Sequence, residues 1–207
     1  MKLIVLLTLC LLAHLGQAQQ RDNILILGDS LSAGYGIKVE ESWPVLLQGK
    51  LNELQLGFRV HNASISGQTT AEGLAQINRL LKLTQPKLVI LELGANDGLR
   101  GLPIMAMQDN LQAMITRSQL SGANVLLVGI RTPANYGRRY GQMFSKSFQQ
   151  LAQRNGISLV PFMLEPLSRL ITDDNKAEYI QADGLHPTAQ AQPILLDFLM
   201  PYINQSI

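Results

Sequence analysis

The residues able to do chemistry fall in four short clusters: Gly28-Asp29-Ser30-Leu31, Ser64-Ile65-Ser66-Gly67, Gly94-Ala95-Asn96-Asp97 and Asp183-Gly184-Leu185-His186. Together they contain the parts of an acyl-transfer site. A serine becomes a nucleophile when an imidazole takes its proton. His186 follows Asp183 by three residues, so a carboxylate in a tight turn can reach Nδ1 and stabilise the imidazolium. The Gly67 N–H and the Asn96 amide could donate to a developing oxyanion. Each residue alone also has an ordinary structural role: a helix-capping serine, turn or capping aspartate, a turn glycine, an asparagine bonding to its own backbone. No Gly-x-Ser-x-Gly elbow occurs, which argues against the α/β-hydrolase fold. No Gly-x-Gly-x-x-Gly follows the first apolar run, which argues against dinucleotide binding.

The supply of bases and thiols is narrow. The 207 residues include three His and one Cys, too few for a disulfide scaffold and a poor basis for a His/Cys zinc site. Residues 1–18 read as a secretory signal peptide: Lys2, an apolar run from Leu3 to Ala13, then small residues Gly16 and Ala18. The run is shorter than the ~20 residues that span a bilayer, so no stable membrane anchor is expected. Cleavage after Ala18 removes Cys10, His14 and Lys2, and the net charge drops from +2 to +1. A thiol nucleophile is then excluded, and the base must be His61 or His186. His61 lies within an apolar strand-like segment and reads as a strand-face histidine. The small net charge gives no reason to expect a nucleic-acid partner.

The elements that would position the clusters alternate along residues 19–207. Strands are expected at Asn23–Leu27, Phe58–Ala63, Lys87–Leu93, Val125–Ile130 and Ile157–Pro161. Helices are expected at Trp43–Leu56, Thr70–Leu83, Ile104–Ser121, Phe144–Arg154 and Thr188–Ile203, the last interrupted or kinked at Pro193. Continuously apolar strands alternating with helices indicate one α/β domain, a parallel sheet covered on both faces. Ligands bind such sheets beyond the carboxyl ends of the strands. The first three clusters follow strands one, two and three, and the fourth precedes the last helix. Gly98–Gly101 and Pro133–Gly137 read as loops at the same edge.

Four clusters in this order resemble the GDSL/SGNH hydrolase family, and the match covers the whole of residues 19–207. It is closest to a branch of bacterial periplasmic thioesterases, arylesterases and lysophospholipases. That likeness rests on Leu25 to Tyr35, Asn62 to Gly67, Glu92 to Gly101 and Pro133 to Tyr140. Thr132 stands where the branch often carries a larger apolar residue. The resemblance implies a flavodoxin-like three-layer α/β/α sandwich with a five-stranded parallel sheet. It implies Ser30, Asp183 and His186 as a catalytic triad, and an oxyanion hole from the Ser30 and Gly67 N–H groups and the Asn96 amide. The substrates implied are small acyl esters, thioesters and lysophospholipids, cleaved by a periplasmic or secreted monomer without metal or cofactor. A carbohydrate or other short-chain acetylesterase is the alternative on the same fold.

Overall fold

The computed structural model describes residues 22–132 and 136–207. The expected signal peptide and Pro133, Ala134 and Asn135 of the expected loop lie outside the described residues. Five strands form one sheet: β1 (Asp22–Gly28), β2 (Phe58–Asn62), β3 (Leu88–Glu92), β4 (Asn124–Val128) and β5 (Ser158–Val160). Their order is β2-β1-β3-β4-β5, and every pair is parallel. The helices are α1 (Ser30–Ala33), α2 (Trp43–Glu53), α3 (Thr70–Thr84), α4 (Ala95–Leu99), α5 (Ile104–Leu120), α6 (Arg138–Asn155), α7 (Glu165–Leu170), α8 (Lys176–Tyr179) and α9 (Gln192–Ser206).

The strand sequences explain the layering. Successive side chains leave a strand on opposite faces. Ile24, Ile26, Leu88, Ile90, Leu126 and Val128 therefore pack with Trp43, Leu47 and Leu51 of α2 and Leu195, Leu199 and Ile203 of α9. Leu25, Leu27, Val89, Leu91, Val125 and Leu127 pack with Ile77 of α3, Leu111 and Met114 of α5, and Phe144 and Phe148 of α6. Both faces are buried, giving the expected three-layer α/β/α architecture.

Several boundaries differ from the sequence expectation. The helix expected from Phe144 begins at Arg138, because its first turns are polar and carry no apolar period. Around Pro193 the expected last helix is interrupted rather than kinked. Pro193 sits in the first turn of α9, where a proline's missing N–H has no partner to lose. Thr188 instead precedes a separate 3₁₀ turn over Ala189–Ala191. Gly98 and Leu99 close α4 rather than open a loop. The helices α1, α4, α7 and α8 are too short to show a helical period.

In the sheet order, β1 separates β2 from β3. The connections leaving β1 and β3 thus diverge to either side of the sheet, and a crevice opens between their carboxyl ends. Gly94 begins the second of these connections with φ +124°. A Cβ there would lie 3.1 Å from both Met107 Sδ and Phe148 Cζ. Gly94→Ala is expected to lower stability by ~1–3 kcal/mol through backbone strain and this crowding. Gly49 in α2 faces open space, and Gly49→Ala should raise stability by ~1 kcal/mol from helix propensity. Denaturant midpoints of the two variants, displaced in opposite directions, are the check.

Candidate active site

Ser30 is the first residue of α1, directly beyond β1. The cap of this helix is Asp29, whose Oδ1 accepts the Leu31 N–H at 3.1 Å. The serine expected to serve also as a cap is thereby relieved of that task. Its Oγ lies 2.8 Å from His186 Nε2. His186 Nδ1 lies 2.6 Å from Asp183 Oδ2. A continuous chain of hydrogen bonds so links the serine, the imidazole and the carboxylate. Ser30 and His186 are 156 positions apart in the chain.

The loop before α9 holds the second half of this chain. Gly184 turns it with φ +73°. Asp183 Oδ1 accepts the N–H groups of Leu185 and His186 at 2.9 and 3.0 Å, leaving Oδ2 for the imidazole. These two backbone donors, helped by His186, pull the Asp183 carboxyl down to about 2. The carboxylate therefore stays charged across the working pH range of any ordinary enzyme. Gln181 ties the loop to the segment after α1, its side-chain amide donating to the carbonyls of Tyr35 and Pro187 at 2.8 and 2.9 Å. The Tyr35 ring rests against the imidazole with centroids 4.6 Å apart.

The oxyanion candidates converge on the same crevice. Among the described residues neither the Ser30 N–H nor the Gly67 N–H has an acceptor. Gly67 has φ +81°, and its carbonyl accepts from Arg100 Nη2 at 2.7 Å. The Asn96 amide donates to the Gln68 carbonyl at 3.1 Å and to Asp29 Oδ2 at a longer 3.3 Å. Buried Asp97 accepts the Thr70 N–H at 2.9 Å and the Thr70 hydroxyl at 2.5 Å, joining α4 to the start of α3. That bond sets the Gly67 segment against Asn96. His61, the other candidate base, is not brought to the site. Its Nε2 lies 3.0 Å from Asn23 Oδ1, and burial with nearby Arg59 lowers its pKa.

A cleft of about 250 Å³ opens beside Ser30. Leu31, Ile130, Thr132, Phe162, Leu164 and Leu185 contribute to its walls, together with Leu99 and Tyr35. The Phe162 ring is braced by the Arg131 guanidinium 4.6 Å away, itself ion-paired with Glu165 at 2.9 Å. Ile130, Phe162 and Leu164 carried no signal in the sequence. Only the ends of β4 and β5 bring them to the cleft. Among the described residues, no three of His, Cys, Asp and Glu converge so as to hold a metal ion.

Two buried carboxyls were also without a role in the sequence reading. Glu92 ends β3 and is fully buried. Its Oε2 accepts from Ser32 Oγ at 2.7 Å and from the Asp29 N–H at 3.3 Å. Oε1 has no partner among the described residues. Burial, then the charge of Asp29, push Glu92 well above the usual carboxylate range. Burial raises Asp29 to about 6 against the pull of the Leu31 N–H, His186 and Asn96. The available signal was a single carboxylate in the apolar run Leu88 to Leu93.

A GDSL-like lipase/acylhydrolase family model matches residues 26–193. The chain belongs to that family. It is 46% identical over 198 residues to an arylesterase of Vibrio mimicus, covering 95% of this chain and 96% of that protein. It is 42% identical over 192 residues to thioesterase 1/protease 1/lysophospholipase L1 of Escherichia coli K12, covering 91% and 88%. The crystal structure of a psychrotrophic esterase from Pseudoalteromonas, inhibited by monoethylphosphonate, superposes with a TM-score of 0.82 at 41% identity, covering 89% and 97%. This member of the GDSL family is a hydrolase with the family's α/β/α fold.

The raised pKa of Glu92 has a measurable consequence. Unfolded Glu titrates near ~4.3. Above that pH the unfolded chain releases a proton that folded Glu92 keeps, so this residue's contribution to stability is lost as pH rises. A glutamine does not titrate. The melting temperature of Glu92→Gln minus that of wild type is expected to grow from pH 4 to pH 8. Thermal melts at both pH values test it, and a constant or shrinking difference would show that Glu92 is ionised in the fold.

Proposed function

We propose that this protein is an exported serine esterase that cleaves fatty acyl esters, thioesters and lysophospholipids through an acyl-enzyme intermediate. The observation that carries the reading is the Ser30–His186–Asp183 hydrogen-bond chain opening onto an apolar cleft. His186 Nε2 takes the Ser30 proton as Oγ attacks the acyl carbonyl carbon. Charged Asp183 fixes the ring and stabilises the imidazolium. The Ser30 and Gly67 N–H groups receive the oxyanion, and the Asn96 amide joins them by exchanging its long bond to Asp29. His186 then protonates the departing alkoxide or thiolate. Water, activated by the same imidazole, releases the acid.

The cleft favours an alkyl chain over a sugar. Its inner wall of Ile130, Phe162 and Leu164 offers no hydrogen-bonding side chain. The volume lies below the ~300–1,000 Å³ of ordinary ligand pockets, which suits one acyl chain. Esters and thioesters of graded chain length distinguish this reading from an acetylesterase. Turnover should rise from acetyl to medium-chain substrates, and an acetyl optimum would favour deacetylation. Export rests on residues 1–18. The N-terminus of the protein recovered from the periplasm or medium should be Gln19.

Ser30→Ala should fold and lose turnover by several orders of magnitude, on the order of 10⁶ as in subtilisin. Near-normal hydrolysis by the folded variant would remove Ser30 from the reaction. Asn96→Ala should lower kcat by ~10²–10³-fold and leave KM nearly unchanged, because its bond forms mainly in the transition state. An effect confined to KM would make Asn96 a substrate-positioning group instead. The base accepts a proton only when neutral, so kcat/KM should rise with pH on the acid side. His61→Ala should keep that acid limb unchanged. Loss of the limb in His61→Ala, with its retention in His186→Ala, would reverse the choice of base.

A further inference from the structure

Glu92 is an expensive residue to keep where it is. Every neighbour in Leu88–Leu93 is a buried aliphatic side chain, and Glu92 itself has no exposed surface. An aliphatic residue there would avoid the cost of burying a carboxyl with one oxygen unpartnered. The fold makes room for it all the same. Gly28 pairs with Glu92 across β1 and β3. A Cβ on Gly28 would lie 2.7 Å from Glu92 Oε2 and 2.9 Å from Ser32 Oγ. Those short approaches make glycine the residue that fits.

The two groups bonded to Glu92 Oε2 flank the nucleophile in sequence. The Asp29 N–H precedes Ser30 and the Ser32 hydroxyl follows it. One oxygen thereby grips the turn on both sides of Ser30. The Asp29 side chain extends the grip, since its Oδ2 accepts from the Asn96 amide. Glu92 is also tied to Asn96 by chain continuity, four residues away across the β3–α4 connection. The carboxyl thus links the two connections that diverge at the crevice, one carrying the nucleophile and the other an oxyanion donor.

We propose that Glu92 is a positioning residue for hydrolysis, fixing the Ser30 turn directly and holding the Asn96 amide through Asp29 until the oxyanion takes over that bond. The proposal rests on the assignment of Ser30 and Asn96 to the reaction made above. Glu92 touches neither substrate nor reacting atoms. Its contribution is the geometry in which Oγ meets the carbonyl carbon, a quantity to which rate is steeply sensitive. Burial pushes the carboxyl toward its uncharged form, which glutamine matches in shape while keeping an oxygen for both donors.

The test compares Glu92→Ala and Glu92→Gln with wild type, with turnover expressed per active site titrated by a phosphonate ester. Glu92→Ala should lower kcat on the order of 10²-fold while KM stays within about threefold. Glu92→Gln should recover kcat to within about threefold of wild type. If Glu92→Ala does not fold, Ser32→Ala carries the test: it removes one of the two donors and should lower kcat roughly fivefold at constant KM. Unchanged kcat per titrated site in Glu92→Ala, or in Ser32→Ala where that variant stands in, would reduce Glu92 to a structural part of the core and overturn the proposal. A Glu92→Gln variant as slow as Glu92→Ala would overturn it too. Ser30→Ala, assayed alongside, separates the two levels of inference. If it is inactive while Glu92→Ala is normal, only the positioning role falls. If it retains turnover, the serine reading falls and this proposal with it.

Discussion

The parallel pairing of β1 with β3, with Gly28 opposite Glu92 at their carboxyl ends, is the constraint on which the site depends. From this one register the chain departs in two directions. One connection carries Asp29, Ser30 and Ser32, and the other carries Gly94, Asn96 and Asp97. A shift of one residue would exchange the faces of every side chain on the slipped strand. It would bury Leu25 and Leu27 in the wrong layer and part Ser30 from Asn96. The apolar alternation that builds the two cores is thus the same feature that aligns the chemistry.

The site's polar groups divide by burial. Asp183 sits in a half-open turn, surrounded by backbone donors that favour its charge. Asp29 and Glu92 sit below Ser30, where desolvation opposes charge. Three carboxyls near one serine therefore hold protons differently. The exposed one is held as an anion beside the imidazole, while burial pushes the deepest toward its neutral form. An extensive apolar core offsets the cost of the buried pair, with Trp43, Phe144 and Phe148 among its largest members.

Placement of the imidazole is a separate problem, solved by the loop before α9. No sheet register reaches it. The loop is held by Gln181 to the Tyr35 carbonyl, by an antiparallel bridge between Ile180 and Pro187, and by the ring of Tyr35. These contacts are polar or lie partly at the surface. They are weaker individually than core packing, and they place His186 within hydrogen-bond reach of Ser30 only in concert.

Much of this was legible in the residues alone. Apolar runs with alternating helices specified a parallel three-layer sheet, because hydrophobic period is a local property of the chain. The four polar clusters, three after strands and one before the last helix, were visible for the same reason, and it was the family resemblance that joined Ser30, Asp183 and His186 into an expected triad. Helix starts such as Arg138 were not visible, since a polar first turn has no period. Whether Pro193 interrupts or kinks the last helix was not legible, because a proline at a helix start and one inside it look alike without the boundary. Only the tertiary structure decided that Asp29 rather than Ser30 caps α1, that Ile130, Phe162 and Leu164 share one cleft, and that Glu92 lies under Ser30. Each of these depends on which strand lies beside which. That choice arises from burying two faces of a sheet at once, and no local stretch of sequence encodes it.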